Sequence, residues 1–125
     1  MSERYKVEEN GETKEYNIDN DKLVFEGQYA NGKRNGKGKE YNEKENLIFE
    51  EEYLNGKKWK GKANEYNEDS GKLTLECEYS NGKIDGVVKE YDKYNGDLIL
   101  AGKFFNGKRK GEGNEYKFML YGVIE

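Results

Sequence analysis

Apolar and polar residues alternate with a period of two in four stretches, LVFEGQY from Leu23, LIFEEEY from Leu47, LTLECEY from Leu73 and LILAGKF from Leu98. In the first, Leu23, Phe25, Gly27 and Tyr29 fall on one side, and Val24, Glu26 and Gln28 on the other. The later stretches repeat it as Leu47, Phe49, Glu51, Tyr53, then Leu73, Leu75, Cys77, Tyr79, then Leu98, Leu100, Gly102, Phe104. A period of two predicts half-buried strands. Each strand runs into Asn-Gly, at Asn31-Gly32, Asn55-Gly56, Asn81-Gly82 and Asn106-Gly107. Both residue types tolerate the positive φ that a two-residue hairpin turn demands. A second glycine follows (Gly36, Gly61, Gly86, Gly111) and opens a return strand that ends in Glu-Tyr. The unit is a β-hairpin.

The hairpins recur. Tyr16, Tyr41, Tyr66, Tyr91 and Tyr116 are spaced 25 residues apart, and a fixed period of that length marks a linear repeat architecture. The expected fold is all-β, an elongated single-layer antiparallel sheet of consecutive hairpins forming one repeat domain over residues 1–125. Its repeats span 23–46, 47–72, 73–97 and 98–117. Residues 1–22 read as a degenerate N-terminal half-repeat, in which Gly11 stands before Tyr16 as Gly36 stands before Tyr41, and Tyr5 falls near the place of Tyr29. Residues 118–125 form a short apolar C-terminal cap or association segment, because the ends of a repeat array must cover their last face. An apolar terminal strand also pairs readily with another copy, so Phe118, Met119, Leu120, Tyr121, Val123 and Ile124 are candidates for self-association as a homodimer.

The stretch Phe25-Glu-Gly27-Gln-Tyr29 followed by Asn31-Gly32-Lys33-Arg34-Asn35-Gly36-Lys37-Gly38 resembles a MORN (membrane occupation and recognition nexus) repeat, whose pattern is approximately YxGxWxNGKxxGxG. Gly102, Phe104, Asn106, Gly107, Lys108, Arg109, Gly111 and Gly113 follow the same order. The resemblance covers 23–117 well and 5–22 weakly. It departs where Tyr or Phe replaces the strand Trp, where Glu51 and Cys77 replace Gly27, and where Ala63 and Val88 replace Gly38. The resemblance implies a protein-interaction scaffold that often homodimerises, and a possible affinity for acidic phospholipids.

Composition sharpens the functional reading. Hydrophobic residues are 33% and charged residues 38% of the 125-residue chain, so any core must be a narrow stripe. With so many aromatics the chain is nevertheless read as ordered. The formal net charge of −4 argues against a nucleic-acid footprint. Lone Cys77, an N-terminus without an apolar core region and the lack of any run long enough to span a membrane together lead us to expect a cytoplasmic protein.

The aromatic column Phe25, Tyr29, Phe49, Tyr53, Tyr79 and Phe104 is the expected partner-binding groove, suited to an extended peptide or a helix. Basic residues at the hairpin tips (Lys33, Arg34, Lys57, Lys58, Lys60, Lys108, Arg109 and Lys110, with Trp59 among them) offer an alternative site for anionic lipid headgroups. Glutamates recur in columns, Glu26, Glu50 and Glu76 on first strands and Glu40, Glu65, Glu90 and Glu115 on return strands. Cross-strand pairing with lysine is one use for them. A catalytic pair should be singular, whereas these recur with every unit. The chain has no histidine, so imidazole catalysis and His-ligated zinc are excluded. We expect no enzymatic activity, cofactor, metal or small-molecule substrate.

Overall fold

A computed structural model describes residues 3–109. The protein is all-β, built of consecutive antiparallel hairpins in open sheet, with no helix among the described residues. The chain falls into two compact units, Met1–Gly61 and Lys62–Glu125. The first holds β1 (Arg4–Glu9), β2 (Glu12–Asn17), β3 (Leu23–Ala30), β4 (Lys33–Tyr41) and β5 (Leu47–Leu54), each paired with the next. The strand β6 (Lys57–Tyr66) runs across the division. The second unit holds β7 (Leu73–Ser80), β8 (Lys83–Ile84), β9 (Gly86–Tyr91), β10 (Leu98–Phe105) and β11 (Lys108–Arg109). There β7 pairs with both β8 and β9, β9 with β10, and β10 with β11.

The Asn-Gly turns form as the sequence predicts. Asn31 and Gly32 have φ of 53° and 78°, and Asn10 and Gly11 have 52° and 81°. Gly11 is therefore the turn glycine of its own hairpin and corresponds to Gly32, not to Gly36 as its distance from Tyr16 suggested. Tyr5 correspondingly lies opposite Tyr16 and stacks on it with centroids 5.3 Å apart, whereas Tyr29 lies opposite Arg34. Arg4–Glu9 and Glu12–Asn17 thus form a full hairpin without the second-glycine bulge.

Strict alternation also fails at the strand starts. Phe25 lies opposite Glu15 but Leu23 lies opposite Tyr16, so one extra residue is inserted between them. The same shift separates Leu47 from Phe49 and Leu98 from Leu100. These are β-bulges, which bend a strand and increase its twist. They put Leu23, Leu47 and Leu98 out of phase with the aromatic row.

Past each return strand, the polar residue after the tyrosine organises the connection. Asn17, Asn42, Asn67 and Asp92 each accept a backbone N–H two residues on through Oδ1, the Asx geometry that competes well with strand continuation. Neighbouring hairpins also lock tip to tip. Gly56 N–H donates to the Arg34 carbonyl and Gly107 N–H to the Ile84 carbonyl, both at 2.8 Å. Beside these, Asn35 Oδ1 accepts from Asn55 N–H and Asp85 Oδ1 from Asn106 N–H.

Candidate interaction surface

In the first unit the register sets Glu15, Phe25, Glu40 and Phe49 in one row across β2 to β5, with Thr13, Gly27, Gly38 and Glu51 in the next. Phe25 and Phe49 have no exposed surface, and Tyr53 is also buried. Phe25 and Phe49 both meet the Tyr53 ring edge-on, with centroids 5.2 Å away. The second unit buries Phe104 with Leu100, Val88 and Cys77, while Tyr29 and Tyr79 are half-buried.

The aromatic column therefore acts as core. At Phe25, Phe49, Tyr53 and Phe104 it leaves no outer edge for a partner. In the first unit the reason is that long polar side chains roof the sheet. Arg34 lies 4.3 Å above the Phe25 centroid, Lys58 Nζ 5.5 Å from that of Phe49, and Lys6 Nζ 5.0 Å from that of Tyr29. Amphipathic stems cover apolar rings while their charged heads find the π-face or a carboxylate.

Arg34 organises this roof. Its Nε and Nη2 donate to the two oxygens of Glu15 at 2.8 and 3.0 Å, and its Nη1 donates to Glu40 at 3.1 Å. The Tyr29 hydroxyl donates to Glu15 and the Tyr53 hydroxyl to Glu40. Burial pushes the Glu15 carboxyl up, but Arg34, Tyr29 and Arg4 together outweigh it and hold the group below its ordinary value. Burial, together with the acceptor carboxylate Glu15, pushes Tyr29 up to about 12. Arg34 is consequently not a free tip cation, which corrects one of the positions expected to meet lipid, and Lys58 lies beside the Phe49 ring. Lys33, Lys57, Lys60 and Lys108 remain exposed and Trp59 is half-buried. The Arg109 side chain, Lys110 and Phe118, Met119, Leu120, Tyr121, Val123 and Ile124 lie outside the described residues.

The Arg34 clamp was missed in the sequence. Its trace is there: Glu15, Glu40, Glu65 and Glu90 recur every 25 residues, and tyrosine follows Glu15 and Glu40 in the next strand. Glu90 breaks the arrangement. Ile84 and Phe104 take the places of Arg34 and Tyr53, and Glu90 Oε1 is buried without a hydrogen-bond partner among the described residues. Burial pushes its carboxyl up.

The opposite, outer face differs between the units. In the first, Lys14, Glu26, Lys39 and Glu50 stand opposite one another in register, as do Lys37 and Glu52. The Tyr41 hydroxyl donates to Glu26 at 2.6 Å, and in the second unit Tyr91 donates to Glu76. The outer row of the second unit carries Val87 and Lys89 on β9, with Leu98, Ala101, Lys103 and Phe105 on β10. Val87 is 45% and Phe105 66% exposed, and Leu98 is exposed as well. No group of three or more Cys, Asp or Glu among the described residues is arranged to hold a metal ion. No helix of the described residues is long and apolar enough to cross a membrane.

No protein-family model matches the chain, and a search of curated proteins finds no similar one.

Proposed function

We propose that this chain is a non-enzymatic repeat scaffold of MORN-like pattern that binds a protein partner along the outer face of β9 and β10. The supporting observation is the set of apolar side chains exposed there, Val87 and Phe105 towards one end and Leu98 at the other, with Lys89 and Lys103 between them. Large exposed apolar groups on one face favour a macromolecular partner. Lys89 and Lys103 between them suit an acidic, apolar-rich segment laid across the strands. The outer face of the first unit is less suited, because its lysines and glutamates already answer each other in register.

The repeated carboxylates support a scaffold over an enzyme. Glu15 and Glu40 are held by Arg34 and by tyrosine hydroxyls, and Glu26 and Glu76 by tyrosine hydroxyls. Selection of binders from a displayed peptide library tests the reading. Acidic, apolar peptides should emerge, and Val87→Glu or Phe105→Glu should weaken them about tenfold or more, as expected for hot-spot positions. Binders indifferent to both substitutions refute the assignment. The phospholipid alternative rests on the exposed tips Lys33, Lys57, Lys60 and Lys108. Sedimentation with anionic vesicles at low and high salt decides it, since lysine-driven binding collapses with ionic strength.

A further inference from the structure

Strand β1 has a partner only on one side among the described residues, and all six of its residues are exposed. The Asn10-Gly11 turn makes Glu9 and Glu12 its closing pair, which in a two-residue hairpin exchanges backbone hydrogen bonds. Pairs then alternate, so Tyr5, Val7 and Glu9 aim their backbone groups at β2. Glu3 fits the same phase, since its carbonyl accepts from Ile18 N–H. Arg4, Lys6 and Glu8 therefore present N–H and C=O groups along the free edge.

Free edges are commonly guarded by lysine, which repels a second copy of itself. The order here is different: Arg4 and Lys6 come first, Glu8 and Glu9 last. Such an edge is self-complementary when a second copy approaches antiparallel. We infer that β1 pairs with β1 of a second copy of this chain, Lys6 opposite Glu8 of the partner twice and Val7 against Val7 on the two-fold axis.

Both requirements of a two-fold strand pair are met in that register. Lys6 and Glu8 are both edge-directed, so they exchange the backbone hydrogen bonds. Val7 falls at a non-hydrogen-bonded site, where opposing side chains approach most closely. Moving the register by two residues puts Lys6 against Lys6, which like-charge repulsion disfavours. An interface of this kind is isologous and closes at two copies. It is independent of the β9–β10 surface, so either can fail without the other.

Sedimentation velocity on the full chain, up to about millimolar concentration, tests it by charge exchange. Glu8→Lys alone and Lys6→Glu alone should each weaken dimerisation about tenfold, by placing like charges opposite at two pairs. The double variant Lys6→Glu/Glu8→Lys restores the parent's association. Mixing the two single variants gives a heterodimer tighter than either homodimer. Circular dichroism confirms that each variant keeps its sheet. A parent that stays monomeric overturns the inference, as does a dimer indifferent to Glu8→Lys or a double variant that fails to recover.

Discussion

Arg34 holds both carboxylate oxygens of Glu15, with Nε 2.8 Å from Oε2 and Nη2 3.0 Å from Oε1, while its guanidinium carbon lies 4.3 Å from the centroid of the Phe25 ring. Nineteen residues apart in the chain, the two are joined because β2, β3 and β4 stack in order. The pair closes the roof over the first unit's core.

Removing the cation should be costly, because it strands a carboxylate that is only 5% exposed. Arg34→Met is expected to destabilise the protein by about 3 kcal/mol, the cost of breaking one side of a buried pair. The effect has a pH signature. The Glu15 carboxyl is held below its ordinary 4.5, so its contribution is present above that value and is lost as pH falls through the lower folded value. Thermal melts between neutral and acid pH should show this loss in the parent and not in Arg34→Met.

Glu90 should behave oppositely. Its folded carboxyl is raised by burial, so protonation favours the fold and stability falls as pH rises through that group. Glu90→Gln removes the charge while keeping the shape. At neutral pH it should leave the unfolding free energy unchanged or raise it by up to about 1 kcal/mol through relieved desolvation, seen as an unchanged or higher melting temperature. A clear drop in melting temperature would show that the charge itself is stabilising.

The tyrosines bonded to strand glutamates should titrate late. Tyr41 is pushed up to about 12 by burial and by Glu26, and Tyr91 to about 12 by its hydrogen bond to Glu76. A raised folded value means that the stabilisation is complete below the ordinary 10.0 and is lost between there and about 12. Absorbance titration of phenolate formation checks this. Tyr41→Phe and Tyr91→Phe should each remove one late-titrating group and cost about 1 kcal/mol.

Gly38 and Phe25 are matched in size. A Cβ on Gly38 would fall 2.5 Å from Phe25 Cε1 and 2.6 Å from Cζ. In the second unit Val88 fills the corresponding place, and Leu75 stands where the first unit has Phe25. Gly38→Val alone should destabilise by about 2 kcal/mol through overpacking. Adding Phe25→Leu should recover part of it, a coupling that a double-mutant cycle in urea would measure.

The sequence alone determined the hairpins, because turn chemistry and period-two patterning are local. Asn-Gly at each tip forces positive φ on both residues, and alternation sets which side of each strand is apolar. It also carried the recurrence of those hairpins and the apolar residues of the core. What it did not determine depends on neighbouring strands. The one-residue bulges at Leu23, Leu47 and Leu98 arise from register, which no single strand encodes. The Arg34 clamp joins residues from β2 and β4, and it turns an expected tip cation and an expected open groove into a roofed core. Glu90 shows the same dependence: one glutamate in a column looks like the next until tertiary packing decides whether an arginine and a hydroxyl stand beside it. A single-layer sheet has too few apolar residues to cover its own rings. Tertiary structure therefore decides which charged side chains cover them and which remain outside.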